Sequence, residues 1–243
     1  VPASLVLRID DAGDVRTVTL DRPERRNALT PDLLDALEDA VEDPPAPVVH
    51  LRGAGDAFCA GADLDAVSDV AAATQAGDND DEAAAFAAHG QRVARAIADS
   101  PAAVLAGVDG AARGGGVELA LACDLRVATA DATFAESGVT FGLFGAWGGT
   151  ARLPRVVGEG NAMDLALSGR TVDAETALRM GLVSRLVDDP STVAAELAAT
   201  DHAALGRLKR LVRATGADEE REAAEREAFA DLVARNADAL RRD

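Results

Sequence analysis

Three consecutive glycines, Gly114, Gly115 and Gly116, stand two residues before the carboxylate Glu118 in the stretch VDGAARGGGVELALACD. Glycine lets a chain turn sharply and lets a ligand approach the main chain closely. The alanine- and leucine-rich segment that follows reads as a helix. Its first turn carries unpaired N–H groups and a partial positive charge. Negative charge, whether carried by a ligand or developing in a reaction, is favoured at that point. Glu118, three residues past the middle glycine, places an acid beside those donors. A triple glycine before a helix also serves plain packing, and the sequence leaves both uses open. A second small-residue turn, GAGDAFCAGADL (Gly53–Leu64), makes close backbone approach equally easy; no Gly-Lys-Ser/Thr follows it, so it is not a P-loop. A third, GLFGAWGGTARL (Gly142–Leu153), holds Trp147, the only tryptophan, placed to cover a pocket or to fill space between elements.

The elements that must hold these turns can be read from periodicity. Leu5–Ile9 and Val15–Leu20 alternate apolar with polar residues around Asp10–Asp14, a hairpin signal. The loop DRPERRNAL follows. Thr30 with Pro31 reads as a helix cap ahead of Leu33, Leu34, Leu37 and Val41, and Pro44-Pro45 ends that helix. Val48–Arg52 is a buried strand on which His50 takes the face opposite Val49 and Leu51, a partly exposed position. Ala71–Glu82 is polar and interrupted by glycine, a loop or a poor helix. Ala83–Ala98 is helical, with His89 at the rim of its apolar stripe. Pro101–Val108, Leu125–Ala128 and Thr133–Glu136 are further strands, and beyond Leu153 the chain turns mostly helical. Strands alternating with helices imply parallel pairing and an α/β fold.

Composition narrows the function classes. The 243 residues include 42 acidic and 24 basic residues, a formal net charge of −18, with Lys209 the only lysine. A phosphate backbone and an anionic bilayer would both be repelled, so neither nucleic acid nor membrane is an expected partner. An acidic, lysine-poor surface fits a GC-rich genome or a halophilic, salt-crowded cytoplasm. Cys59 and Cys123 sit in apolar settings without a metal-ligand pattern, so no metal is expected. The N-terminus carries no basic-then-apolar signal, and no apolar run reaches membrane-spanning length, which leads to the expectation of a cytoplasmic protein.

The stretches RPERRNAL, GAGDAFCAGADL and ARGGGVELALACDLRVA, followed by FGLFGAWGGTARLPRVVG and ALRMGLVSRLV, resemble in order and spacing the enoyl-CoA hydratase/isomerase (crotonase) family. The resemblance runs from about Val15 to Val187. It implies a repeated ββα spiral core over residues 1–188 holding an acyl-CoA site, and a helical C-terminal part over 189–243 that serves oligomerisation as a trimer or hexamer. Phe229, Leu232 and Val233 share one face of the terminal helix for that purpose. The resemblance places a thioester carbonyl between the backbone N–H groups of Ala62 and Gly115, with Gly61 and Gly114 beside them. Two fixed donors stabilise an enolate-like oxyanion where its charge develops. It also places the CoA portion against Ala60, Gly61, Asp63 and Leu64. Arg25 and Arg26 are candidates for its phosphates, since guanidinium suits phosphate geometry; Lys209 and Arg210 are further candidates from the C-terminal part. Coenzyme A belongs to the substrate, and no separate cofactor is implied.

Members that hydrate use two glutamates, one activating water at the β-carbon and one handling the α-proton. Glu118 matches the first. The second position is Gly138, and the nearest carboxylate is Glu136, which alternation along an extended segment would put on the same face; a solvated strand end is its other reading. Three functions therefore stand. The first is an enoyl-CoA hydratase using Glu118 with Glu136 or water. The second is an isomerase moving a proton with one carboxylate. The third is a catalytically inactive acyl-CoA binder. Trp147 and the Ala71–Glu82 segment are expected to help set acyl-chain length.

Overall fold

The computed structural model describes residues 6–76 and 82–241. Its first two strands, β1 (Leu7–Ala12) and β2 (Val15–Leu20), pair antiparallel. Gly13, at φ +60°, and Asp14 alone make the turn. β1 thus absorbs Asp10, Asp11 and Ala12, which read as turn residues by polarity; Leu5, expected in this strand, lies outside the described residues. The helix α1 (Pro31–Glu42) starts where its cap predicts: the Thr30 hydroxyl accepts from the Leu33 N–H at 3.3 Å. Its buried face is Leu33, Leu34, Leu37, Ala40 and Val41. Each leucine contributes roughly 1.5–3 kcal/mol by leaving water.

Three repeats follow, each passing from one sheet to a second and then into helix; the first two return to the first sheet directly, the third only after a further strand and helix. The first is β3 (Val48–Gly53), β4 (Ala57–Cys59), α2 (Leu64–Ala76) and α3 (Glu82–Asp99). The second is β5 (Ala103–Val108), β6 (Ala111–Arg113) and α4 (Gly115–Ala122). The third is β7 (Leu125–Ala128), β8 (Thr133–Ala135) and α5 (Gly149–Ser168). Then come β9 (Val172–Asp173), α6 (Ala174–Met180), β10 (Arg185–Leu186), α7 (Pro190–Ala198), α8 (His202–Arg213), α9 (Asp218–Arg235) and α10 (Ala237–Leu240). One sheet runs β1-β2-β3-β5-β7-β10, parallel from β2 onward, and the other β4-β6-β8-β9, with β9 antiparallel. This is the repeated ββα spiral with a helical C-terminal part. The Ala71–Glu82 segment is helix through Ala76 and again from Glu82, while residues 77–81 lie outside the described residues. No helix among the described residues is long and apolar enough to cross a membrane.

The large sheet is covered on both faces, which explains its near-continuous apolar strands. One face packs on α1, α3 and α4. The other packs on α7 and α8 through Val48, Leu105, Val127, Val193 and Ala194. His50 belongs to that second face and is buried, against the expectation of partial exposure. Gly107 and Pro190 close over it so tightly that a methyl added to Gly107 would meet the imidazole Nε2 at 2.4 Å. Alternation correctly set its face; the C-terminal helix that covers it is a long-range feature. α4 is buried at every position, including Glu118.

Candidate active site

The site begins where the two glycine turns touch. Gly61, at φ +90°, ends the turn after β4, and Gly115 begins α4. A methyl added to Gly61 would lie 2.7 Å from the Arg113 carbonyl and 3.2 Å from the Gly115 nitrogen; one added to Gly116 would lie 2.4 Å from the Cys59 carbonyl. Only glycine permits this approach. The turn is further fixed from below. Leu29 N–H donates to the Gly61 carbonyl and Asp63 N–H to the Leu29 carbonyl, at 2.8 and 2.9 Å. These bonds bracket Ala62 and leave its N–H unused. Among the described residues, neither the Ala62 nor the Gly115 N–H donates to a protein acceptor. Two free donors therefore stand at adjoining turns, one of them at a helix N-terminus.

Asn27, which sequence reading passed over inside RPERRNAL, holds the whole loop. It is buried at φ +57°. Its amide donates to the carbonyls of Ala54, Ala57 and Phe58 at 2.9, 2.7 and 3.3 Å, and its side-chain oxygen accepts from Arg22 N–H at 2.9 Å. Its own carbonyl accepts from the Cys59 thiol at 3.2 Å. Both cysteines are free and buried, and burial pushes each thiol up to about 12. The available signal was an asparagine in a polar loop, a residue type that tolerates the left-handed region.

Asp63 is buried and pairs with Arg22 at 3.0 Å and Arg25 at 3.4 Å, and it accepts from Asp65 N–H at the start of α2. Arg25 also pairs with Asp65. Asp63 and Arg25 thus fasten the Ala60–Leu64 loop to RPERRNAL. Leu64 is exposed at the loop's outer edge, and Ala60 N–H donates to the Arg26 carbonyl at 2.9 Å. Arg26 is exposed and forms no ion pair among the described residues. Lys209 is elsewhere: it bonds Asp124 and the Ala102 carbonyl at 2.9 and 2.7 Å, with its side chain only 7% exposed.

Glu118 points toward the third glycine turn. Its Oε1 accepts from the N–H groups of Trp147 and Gly149 at 2.8 and 2.7 Å. Burial pushes its carboxyl up, opposed by those two amides and by the charge of Arg152. Gly145 and Gly149 form a thin wall: a methyl on either would lie 2.7 Å from the carboxylate. On that wall opens an apolar pocket of about 190 Å³, bounded by Glu136, Phe144, Leu153, Pro154 and Met163. Glu136 is buried at its edge, not solvated at a strand end. Its Oε1 has no hydrogen-bond partner, and burial, then the charge of Glu118, pushes it up to about 8. β8 ends at Ala135 and Ser137–Phe141 is a 3₁₀ turn, so strand alternation does not govern the direction of Glu136.

Gly138 lies in that 3₁₀ turn, under the loop that follows. A methyl there would approach the Phe144 Cα to 3.0 Å, and Leu143 N–H donates to the Gly138 carbonyl at 3.0 Å. Main chain fills the space a side chain at 138 would need. Trp147 lies away from the apolar pocket. It is buried between Phe86, Gly90 and Gly115, its ring centroid 5.9 Å from that of Phe86. It thus buttresses the Gly115 turn rather than lining the pocket. His89 pairs with Asp35 at 2.7 Å, joining α3 to α1.

Residues 10–237 match the family model described as Enoyl-CoA hydratase/isomerase. A crotonyl-CoA hydratase of Syntrophomonas wolfei is 39% identical over 173 residues, which cover 69% of this chain and 64% of that protein. A short-chain-enoyl-CoA hydratase of Clostridium acetobutylicum is 35% identical over 185 residues, covering 74% and 68%. Among solved structures, an enoyl-CoA hydratase from Thermoplasma volcanium superposes with a TM-score of 0.88 at 28% identity, covering 98% of each chain.

Proposed function

The chain belongs to the enoyl-CoA hydratase/isomerase family, and from that premise we propose that it adds water across the conjugated double bond of a 2-enoyl-CoA. The observation that carries the reading is a pair of buried carboxylates close enough for the charge of one to act on the other, Glu136 at the edge of the apolar pocket and Glu118 behind its Gly145–Gly149 wall. Glu118 is held by two main-chain amides, and Glu136 has no partner on Oε1 and retains its proton at neutral pH. Environments that differ in this way assign a base and an acid.

The thioester oxygen sits between the Ala62 and Gly115 N–H groups. Glu118 takes a proton from water as the water oxygen bonds to the β-carbon. The alkene electrons pass to the thioester oxygen, and the two amides stabilise the resulting enolate. Glu136 delivers its proton to the α-carbon as the carbonyl re-forms. A proton then returns from Glu118 to Glu136 through water, which restores both groups. A 1,3-proton shift needs only one carboxylate, so a second, protonated one favours hydration. No metal or redox group takes part in these steps.

Arg26 is the cation proposed for the CoA phosphates, a reading supported by its exposure while Arg25 is held by Asp63 and Asp65. The apolar pocket takes the acyl tail. Phe229 and Val233 remain exposed on α9 and serve association into a trimer or hexamer, with residues 189–243 as the oligomerisation region. The test is loss of the conjugated thioester absorbance of crotonyl-CoA. Wild-type protein hydrates it, and Glu118→Gln slows this by roughly 10²–10⁴-fold. Gain of that absorbance from a 3-enoyl-CoA, without loss from crotonyl-CoA, would identify an isomerase; tight binding with neither change would identify a non-catalytic binder.

A further inference from the structure

At the opposite end of α4 from the Gly115 turn lies a cleft of about 830 Å³ between α4, α5 and α8. In a chain of net charge −18, its wall carries six cations, Arg126, Arg152, Arg155, Lys209, Arg213 and Arg221, against one carboxylate, Asp124.

Half of these cations are accounted for by the fold. Lys209 and Arg213 both pair with Asp124, at 2.9 and 2.8 Å. Arg126 donates to the Cys123 carbonyl at 2.9 Å and Arg213 to the Ala122 carbonyl at 2.8 Å, which satisfies the C-terminal end of α4 where positive charge is favoured. The other half are not. Arg152 gives one N–H to the Trp147 carbonyl at 3.0 Å and, although the charge of Glu118 reaches it, forms no ion pair among the described residues. Arg155 has neither a hydrogen bond nor an ion pair among the described residues. Arg221 has a buried Nε without a partner, and its nearest carboxylate, Asp218, stands 4.0 Å away. Burial, then the charge of Arg213, acts against the charge of Arg152; Glu118 partly offsets this, and Arg95 and Arg155 add to it. Gathering like charges in a partly desolvated cleft is unfavourable unless an anion joins them.

We propose that this cleft binds a multivalent phosphate-type oxyanion between Arg152, Arg155 and Arg221. Guanidinium groups present paired N–H donors that match tetrahedral oxyanions. Leu125, Val156 and Leu208 line the adjoining wall, which leaves apolar surface for the organic part of a phosphate ester. The site shares none of its lining with the proposed thioester pocket and does not depend on the hydration reading. Arg152 connects the two, because Trp147, whose carbonyl it binds, donates its N–H to Glu118. Arg152 is therefore left intact in the test.

The probe is inorganic pyrophosphate, titrated calorimetrically into the full chain at low ionic strength, with ADP as a second arm to separate a free oxyanion from an ester. The expected result is a saturable binding step that depends on this cleft and is separate from any step that depends on Arg26. Arg155→Gln/Arg221→Gln weakens it about tenfold or more, Arg155→Gln alone weakens it by a smaller factor, and Arg8→Gln, an exposed arginine that lines neither site, leaves it unchanged. Tighter binding of ADP than of pyrophosphate identifies an ester as ligand, and the reverse order identifies the free anion. Absence of saturable binding would overturn the proposal. So would equal affinity in the double variant, or loss of this step in Arg8→Gln or Arg26→Gln instead. Protection of Arg155 and Arg221 from an arginine-modifying reagent in the ligand-free protein would also overturn it, since the cleft would then be filled by a neighbouring subunit.

Discussion

Replacing Glu136 by Gln keeps the shape of the side chain and removes its titration. In the folded protein this carboxyl titrates at about 8, against an ordinary value of 4.5. Between those two values the unfolded chain has released a proton that the folded chain still holds. Stability therefore falls as pH rises through this window, and the wild type is penalised most at its upper end. A shift from 4.5 to about 8 corresponds to at most about 5 kcal/mol. The glutamine variant lacks the penalty. Thermal melts of both proteins from pH 5 to 8 should diverge steadily, with the variant the more stable at pH 8; each kcal/mol moves Tm by about 2–4 °C in a chain of this size. The same variant should hydrate crotonyl-CoA roughly 10²–10⁴-fold more slowly, while wild-type kcat/KM declines above about pH 8 as the acid is lost. Higher stability with lower activity separates a functional loss from a folding defect. A Tm difference that does not change with pH would refute the buried protonated acid. Full hydration by the variant would refute its role.

Gly138→Glu, which puts a carboxylate where the resemblance implies the second one, should destabilise the protein by about 1–3 kcal/mol without raising activity, because its Cβ would lie 3.0 Å from the Phe144 Cα; denaturant unfolding and the crotonyl-CoA assay read the two effects. His50, whose ionisation burial pushes down to about 4 from 6.5, stays neutral in the folded chain while the unfolded chain takes up a proton. Stability should therefore fall as pH drops from 6.5 toward 4, and His50→Leu should flatten that limb of the melting profile.

Local signals carried much of the fold. The Thr30–Pro31 cap, the strand of β2 and the extent of α4 were all legible because each depends on neighbours in sequence. So was the likelihood of close approach at the glycine turns, since three glycines before a helix restrict what can follow. What escaped reading depends on distant contacts. The burial of His50 follows from a helix about 140 residues downstream. The burial of Glu136 follows from the break between β8 and its 3₁₀ turn and from the way α5 closes over it. Lys209 read as a phosphate candidate from its place in the C-terminal part, yet Asp124 holds it. Asn27 carried no periodicity at all, and its bonds reach 27 to 31 residues along the chain.

The contact between the Gly61 and Gly115 turns has a consequence for how the chain tolerates change. The donors proposed to receive the oxyanion are encoded by the absence of side chains nearby, not by any reactive group. A different residue at 62 keeps its amide, whereas a single methyl at 61 or 116 would drive the two loops apart. In the proposed reaction, the electron-accepting half is thereby written in steric terms and the proton-handling half in two carboxylates. The two halves therefore respond differently to substitution: the first fails when bulk is added at 61 or 116, the second when a carboxylate is removed.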